Sequence, residues 1–432
     1  MSGQRPIRVS AVVIAGLLAG LAIKYAMLFY LGVFDMPAYF EWGKTSLESG
    51  LIKGYHGIYF PLQYQLFELY VWLTSKSGYE YFVIFKASNL VFDIATFIVL
   101  IALLKREGAN PAYGLLYWLH PWFLAMFSLG YIDFQFTLFV LLSVWCLKDE
   151  SARTWLLAGI PLGLAFVMKP QAMILIVAAF FYCVFHAVRT RDIKPAGLLV
   201  GPVIAFSIYE LFFTASLFSQ LRRQAVKVLP MSYLDITNVF PCLNAQMTNI
   251  WYPVAYFLKK ADQPIYSVSD KILIVPHLPA KFLAGAVVIA LVALHVFLTE
   301  RNTAQNVSAR FIQIWGMATM TVPMLMTSAH ENHFFLGSVF LVLLMSRRSS
   351  ILVKVAAHAL LMIQFLNIYG LYGNRPEAIA RFLIGHYSEQ LAAVYSVVAV
   401  ACWAIVMPDG RRGSFRETAA GSQAQPRGEP HS

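Results

Sequence analysis

Apolar residues fill most of the chain in long blocks broken by short polar gaps. The blocks lie near 9–31, 81–104, 111–128, 131–147, 154–168, 171–188, 196–217, 281–298, 311–328, 333–346, 351–369 and 390–407. A helix that crosses the hydrocarbon core needs about 20 mostly apolar residues. Helix also satisfies its own backbone polar groups where no water is available. The pattern therefore predicts an all-α, polytopic bundle of about 12 transmembrane spans. It forms one domain over 1–407 with a tail at 408–432.

Composition agrees. Of 432 residues 59% are hydrophobic and 13% charged, against about 25% charged in a soluble domain. Mean hydropathy is +0.63. A soluble enzyme, a disordered chain and a disulfide scaffold are excluded. Cys146, Cys183, Cys242 and Cys402 are scattered and show no metal spacing. The net charge of +11 reads as Lys/Arg facing anionic lipid, not as a nucleic-acid surface.

Those cations are unevenly placed. With the N-terminus inside, the cytoplasmic gaps hold Arg5 and Arg8, Lys105 and Arg106, Lys148 and Arg153, Arg189, Arg191 and Lys194, Arg301 and Arg310, and Arg347, Arg348 and Lys354. The opposite short gaps are nearly bare, although Arg375 and Arg381 lie at 370–389. The positive-inside rule then puts both termini in the cytoplasm. The first run continues past Lys24 without a polar region, which argues against a cleaved signal peptide. The Gly-, Ser-, Gln- and Arg-rich tail at 408–432 is expected to be disordered.

Two outer loops, 32–80 and 218–280, are long, and they mix aromatics with charges and prolines. Such segments are expected as interfacial helices, one of them at 36–49 ended by Gly50. The irregular polar material thus gathers on the outer face. Asp35 stands at the mouth of the first loop, as a general base or as a helix N-cap ahead of Pro37. Lys169 occupies a hairpin too short to leave the headgroup region; it faces a cavity or snorkels. His330-Glu331-Asn332-His333 has its histidines three apart, which does not fit a helical zinc motif, but it makes a polar turn between spans. Asp133 opens the fourth span, and Arg222, Arg223 and Lys227 form a basic cluster for phosphate or lipid headgroups. Lys86, Asn89 and Asp93 share one face of the second span and read as an internal Lys–Asp pair.

Taken in order, these pieces resemble the GT-C superfamily of integral-membrane glycosyltransferases, which take sugar from polyprenyl phosphate. The likeness is greatest to the dolichyl-phosphate-glucose glucosyltransferases of the endoplasmic reticulum and their bacterial relatives. It rests on Asp35 in the first outer loop, Tyr59-Phe60-Pro61-Leu62-Gln63-Tyr64, Gly130 to Asp133, Lys169-Pro170-Gln171, Asn249-Ile250-Trp251 and His330-Glu331, in order over about residues 30–335.

The resemblance implies an inverting transfer of a hexose to a lipid-linked or cell-envelope acceptor on the outer face. Asp35 would take the acceptor proton, a role worth about 10²–10⁴-fold. Lys169, His330, His333, Arg222 and Arg223 would hold the donor phosphate, whose charge grows in the transition state. Asp133, Glu41, Tyr59, Gln63, Asn249, Trp251 and Glu331 would form the acceptor or sugar pocket. No cofactor is expected; a divalent metal could serve, but no carboxylate cluster argues for one. The rival readings are a twelve-span secondary transporter, for which no internal repeat is visible, and a lipid flippase. Short loops favour a bacterial inner membrane over the endoplasmic reticulum.

Overall fold

The computed structural model describes residues 11–32, 35–55, 59–220, 241–302, 305–348, 350–372 and 389–407. Arg222, Arg223, Lys227 and the tail at 408–432 lie outside them. The described chain is nearly all helix, and every apolar run falls on helical segments. The run at 111–128 is broken at His120, which precedes Pro121 and is extended at ψ 136°. Proline clashes with a preceding α residue, so helices Gly114–Leu119 and Pro121–Leu129 meet there at a corner.

Among the described residues, five segments are long and apolar enough to cross a membrane: Tyr81–Arg106, Pro170–Thr190, Ala280–Glu300, Ile351–Leu371 and Glu389–Val406. Ala11–Met27, Asp133–Cys146, Ala152–Phe166 and Lys194–Tyr209 are shorter apolar helices. Fewer crossings follow from length and composition than the expected count of about 12. The reason is visible in the packing. Val307–Leu325 and Phe335–Arg347 are buried on nearly every side and form the centre of the bundle. Protein rather than lipid surrounds them, so neither needs a long uniform apolar surface.

The first long loop is more ordered than expected. Helix Asp35–Ser49 ends before Gly50, which has φ 89°. A short turn, Leu51–Gly54, follows, and then Pro61–Ser77 with Pro61 in its first turn. The loop's aromatics are not all at the headgroup level. Tyr39, Phe60 and Tyr64 are interior, and Tyr39 stacks on Phe67 at 4.8 Å and Phe85 at 5.6 Å. The second loop carries helix Trp251–Leu258 and a two-stranded hairpin, Leu273–Val275 with Leu278–Pro279. That hairpin is a small departure from the all-α expectation.

The expected Lys86–Asp93 pair does not form. Seven residues apart on one helix, the two side chains start about 10 Å from each other. Asp93 instead meets Lys24 of the first helix at 2.5 Å and accepts from the Tyr117 hydroxyl. Lys24 also lies over the Trp118 ring at 3.5 Å. Lys86 donates to the carbonyls of Met27, Ser128 and Tyr30, capping two helix ends. Elsewhere, helices Ala152–Phe166 and Gly197–Gln220 touch backbone to backbone; a Cβ on Gly201 would lie 1.8 Å from the Gly159 carbonyl oxygen. Small residues allow this close approach.

Lys24 and Asp93 are both fully buried. Removing one partner strands the other charge, which costs about 3–5 kcal/mol. Asp93→Leu should therefore lower thermal stability in detergent sharply, whereas Lys24→Met/Asp93→Leu should recover most of the loss. A double variant no more stable than Asp93→Leu would show that the pair's charge balance is not what holds the first helix.

Candidate active site

Three helix starts converge at one end of the bundle. Asp133 begins helix Asp133–Cys146, directly after the turn at Gly130. Gly130 has φ 78° and lies against Met36, whose methyl would be 2.1 Å from an added Cβ. A side chain there would be strained by the backbone and would push the Met36 methyl aside. Lys169 is extended before Pro170 and leads into the turn Pro170–Ala172. Glu331 opens the turn Glu331–Phe334 ahead of helix Phe335–Arg347.

Lys169 and Asp133 form an ion pair of 2.7 Å, with about 1% of the lysine and 2% of the aspartate side chain exposed. Asn332 donates to the second Asp133 oxygen at 3.4 Å. Lys169 is thus an interior cation and not a snorkelling one. Tyr131 donates to Glu331 Oε1 at 2.5 Å. Beneath them runs a buried amide chain: Gln63 to Gln135 at 3.0 Å, Gln135 to Asn89 at 2.7 Å, and Asn89 to the Tyr131 carbonyl at 2.9 Å. It ties Gln63 of the first loop to two helices of the bundle. The backbone N–H groups of Phe60 and Leu62 reach the carbonyls of Met168 and Val167 at 3.1 Å each, fixing the loop beside Lys169.

Asp35 is the first residue of its helix and is half-buried. Its carboxylate accepts from the Tyr39 hydroxyl at 3.5 Å, and Tyr39 shares a 3.0 Å hydrogen bond with Tyr59. Burial pushes the Asp35 carboxyl above its usual range, and the nearby Glu331 charge adds to the rise. His330, the Tyr39 hydroxyl and Lys169 oppose it. An N-cap carboxylate would show the opposite shift, because amide donors favour the ionised form. The direction suits a proton acceptor.

The two histidines have different work from the expected cations. His333 Nδ1 accepts from the His330 N–H at 3.3 Å, and the His330 ring accepts from the backbone at His333. Burial lowers both, His333 well below its ordinary value. Each ring is neutral at pH 7 with one nitrogen used in the turn, so what remains is an N–H donor. Asn249 is also engaged: its amide donates to the Pro323 and Met326 carbonyls at 2.9 and 3.2 Å and accepts from Asn244 and the Trp251 N–H. The Trp251 indole donates to Leu325 at 2.6 Å. The Asn-x-Trp segment therefore staples the second loop to the end of helix Val307–Leu325, and residues 245–246 bridge to His330. Glu41, expected in the pocket, is exposed on its helix and makes no hydrogen bond or ion pair with the cluster among the described residues.

Asp35, Tyr59, Gln63, Asp133, Lys169, His330, Glu331 and His333 are thus gathered at one end of the bundle. Tyr39 and Asn332 join them unforeseen. Tyr39 stands four residues after Asp35, which is helical spacing, and that signal could have found it. Among the described residues no group of three His, Cys, Asp or Glu side chains is placed to hold a metal. A lateral groove of about 290 Å³ lies among Ile176, Val177, Phe180, Leu199, Pro202 and Val203, all apolar. Ile176 is seven residues beyond Lys169, about 10 Å along a helix.

Residues 73–211 match the dolichyl-phosphate-mannose-protein mannosyltransferase family. That is a GT-C family. The match spans about a third of the chain and includes Asp133 and Lys169, while Asp35 and His330 fall outside it. The match bears out the GT-C likeness over residues 73–211, in a protein whose apolar helices make it an integral membrane protein. The matching family carries mannose in its description, where the motifs alone pointed first to glucose. No curated protein matches the chain.

Asp35 has a raised pKa in the folded protein, so its ionisation costs stability as pH climbs from the unfolded value, about 3.9, through the folded one. Asp35→Asn removes that cost. Its unfolding temperature should match wild type below about pH 4 and rise relative to wild type as pH approaches 7. An N-cap carboxylate would produce the reverse trend, with wild type gaining on the variant.

Proposed function

We propose that this protein moves a hexose, mannose in the first instance, from a polyprenyl-phosphate carrier to a hydroxyl of a lipid-linked, glycan or protein acceptor. The observation that carries the reading is the half-buried Asp35, with its carboxyl raised, beside the Lys169–Asp133 pair. The family match supports the reaction class.

In the transfer, the acceptor oxygen bonds to the anomeric carbon as the bond from that carbon to the phosphate oxygen breaks. The bonding electrons leave with the polyprenyl phosphate, and the acceptor proton goes to Asp35. Attack opposite the leaving group inverts the anomeric centre. The phosphate gains charge as it leaves, so donors beside it act more strongly in the transition state than before it. Lys169 and the N–H groups of His330 and His333 are the described candidates for that role. Asp133 and Asn332 hold Lys169 in place. Tyr39 orients Asp35, and Tyr59 holds Tyr39 in turn. The apolar groove running from Ile176 fits an isoprenoid tail.

We assign both termini to the cytoplasm and the site to the outer face of a bacterial inner membrane, from the Lys/Arg asymmetry. Twelve crossings remain the count this topology uses.

Purified protein should transfer radiolabel from polyprenyl-phosphate mannose to an extract of membrane lipids and proteins, and lose at least about 10²-fold of the rate in Asp35→Asn while keeping donor affinity. Wild-type transfer by Asp35→Asn would remove the base. Lys169→Ala should reduce turnover by about 10²–10³-fold, with Lys169→Arg intermediate because the guanidinium is planar and larger. Transfer from glucose and not mannose carriers would correct the sugar and leave the chemistry standing.

A further inference from the structure

Helix Phe335–Arg347 starts at the candidate active site and ends about 20 Å away along the bundle. At that far end a second groove opens, of about 570 Å³, beside helix Ile351–Tyr372. Most of its wall is apolar, from Leu116, Met345, Val355 and Met362. Lys354, His358 and Tyr113 supply the polar part. Lys354 and His358 are four residues apart, so one face of the helix presents both. The Lys354 ammonium lies over the Tyr113 ring at 5.6 Å, and among the described residues no carboxylate reaches ion-pair distance of it.

His358 is the unusual member. It is exposed, on a helix that is apolar and long enough to cross a membrane. It stands about two turns from the helix start, so its imidazole faces the depth where headgroups give way to acyl chains. An ionisable group presented sideways at such depth is costly without a polar partner. Behind it is His120 at the corner before Pro121, with rings 5.4 Å apart and nearly perpendicular. His120 is 6% exposed; its Nδ1 accepts from the Trp122 N–H, and its Nε2 has no partner among the described residues. A buried polar atom left over beside an open, mostly apolar groove with a few polar groups marks a place where something else belongs.

We infer that this groove binds an anionic phospholipid of the leaflet that meets this end of the bundle. The headgroup phosphate would sit between Lys354 and His358, with His120 as the inner donor or acceptor, and an acyl chain would lie along Leu116, Val355 and Met362. Charge complementarity selects the occupant: a cation with no carboxylate partner among the described residues, one imidazole on an otherwise apolar wall and a second behind it match one phosphate attached to a chain. Basic pockets between transmembrane helices recognise such headgroups. The site is separate from the transfer chemistry and does not depend on it.

The test is native mass spectrometry of the intact protein in detergent, offered phosphatidylglycerol or phosphatidylcholine of the same chain length. Wild type should retain phosphatidylglycerol about fivefold more, the factor expected for one well-placed cation. Lys354→Gln and His358→Leu should each lose that preference, and Lys354→Arg should keep it, which separates loss of charge from loss of fold. Equal retention of the two lipids by wild type would overturn the proposal. So would a preference that survives both Lys354→Gln and His358→Leu, since the lipid would then sit elsewhere. Competition by soluble glycerophosphate at equal concentration would also overturn it, because the site would then read a free phosphate and not a lipid.

Discussion

The candidate active site depends on the buried pair Lys169–Asp133. Each residue stands at the start of a helical segment, and the 2.7 Å contact brings those two starts together. Asn332 on the other Asp133 oxygen adds the His-Glu turn as a third party. Neither charge could stand alone at this depth, since an uncompensated buried ion is far more costly than a paired one. The pair leaves no net charge of its own, but its ammonium keeps hydrogen-bond capacity and stays in a fixed position. Under the proposed function, a phosphate arriving there would meet a cation already oriented, without the cost of ordering a flexible side chain.

Around this pair the protein uses polar bonds to do what lipid-facing surfaces cannot. Hydrophobic contact gives little direction to helices in a membrane, because lipid is as apolar as they are. Direction comes instead from the Gln63–Gln135–Asn89 chain, from Tyr131 on Glu331, and from Asn249 bridging two carbonyls at the end of helix Val307–Leu325. A second ion pair, Lys24 with Asp93, fixes the first helix, from which the Asp35 loop departs. The helix that carries Asp35 is held by the aromatic stack of Tyr39 on Phe67 and Phe85.

This arrangement separates two demands on one carboxylate. Asp35 is only half-buried and has its carboxyl raised, with Glu331 adding to the rise and His330 and Lys169 tempering it. A fully buried aspartate would need a dedicated partner, as Asp93 and Asp133 have. An exposed one would titrate too low to hold a proton usefully. The intermediate position is set by neighbours from three distant parts of the chain.

The sequence by itself determined the helical runs, because each needs only a local block of apolar residues, and it determined the stop at Gly50, whereas the corner at His120 inside the run 111–128 went unread although Pro121 signals it. It also named Asp35, Asp133, Lys169, His330, Glu331 and His333, since ionisable residues beside apolar runs are conspicuous. It could not choose their partners. Lys86 and Asp93 looked like a pair because they share a helix face, yet Asp93 took Lys24 from 69 residues away, a choice made by which helices pack together. It gave no hint that the Asn249 amide would be spent on Pro323 and Met326 carbonyls, or that the histidines would cap their own turn. Nor could run-counting separate helices that face lipid from those that face protein: Val307–Leu325 and Phe335–Arg347 are apolar for packing, and only their burial shows it. Local pattern fixes secondary structure in lipid because backbone bonds must close within each segment. Side-chain partners are fixed by long-range packing, which no local window contains.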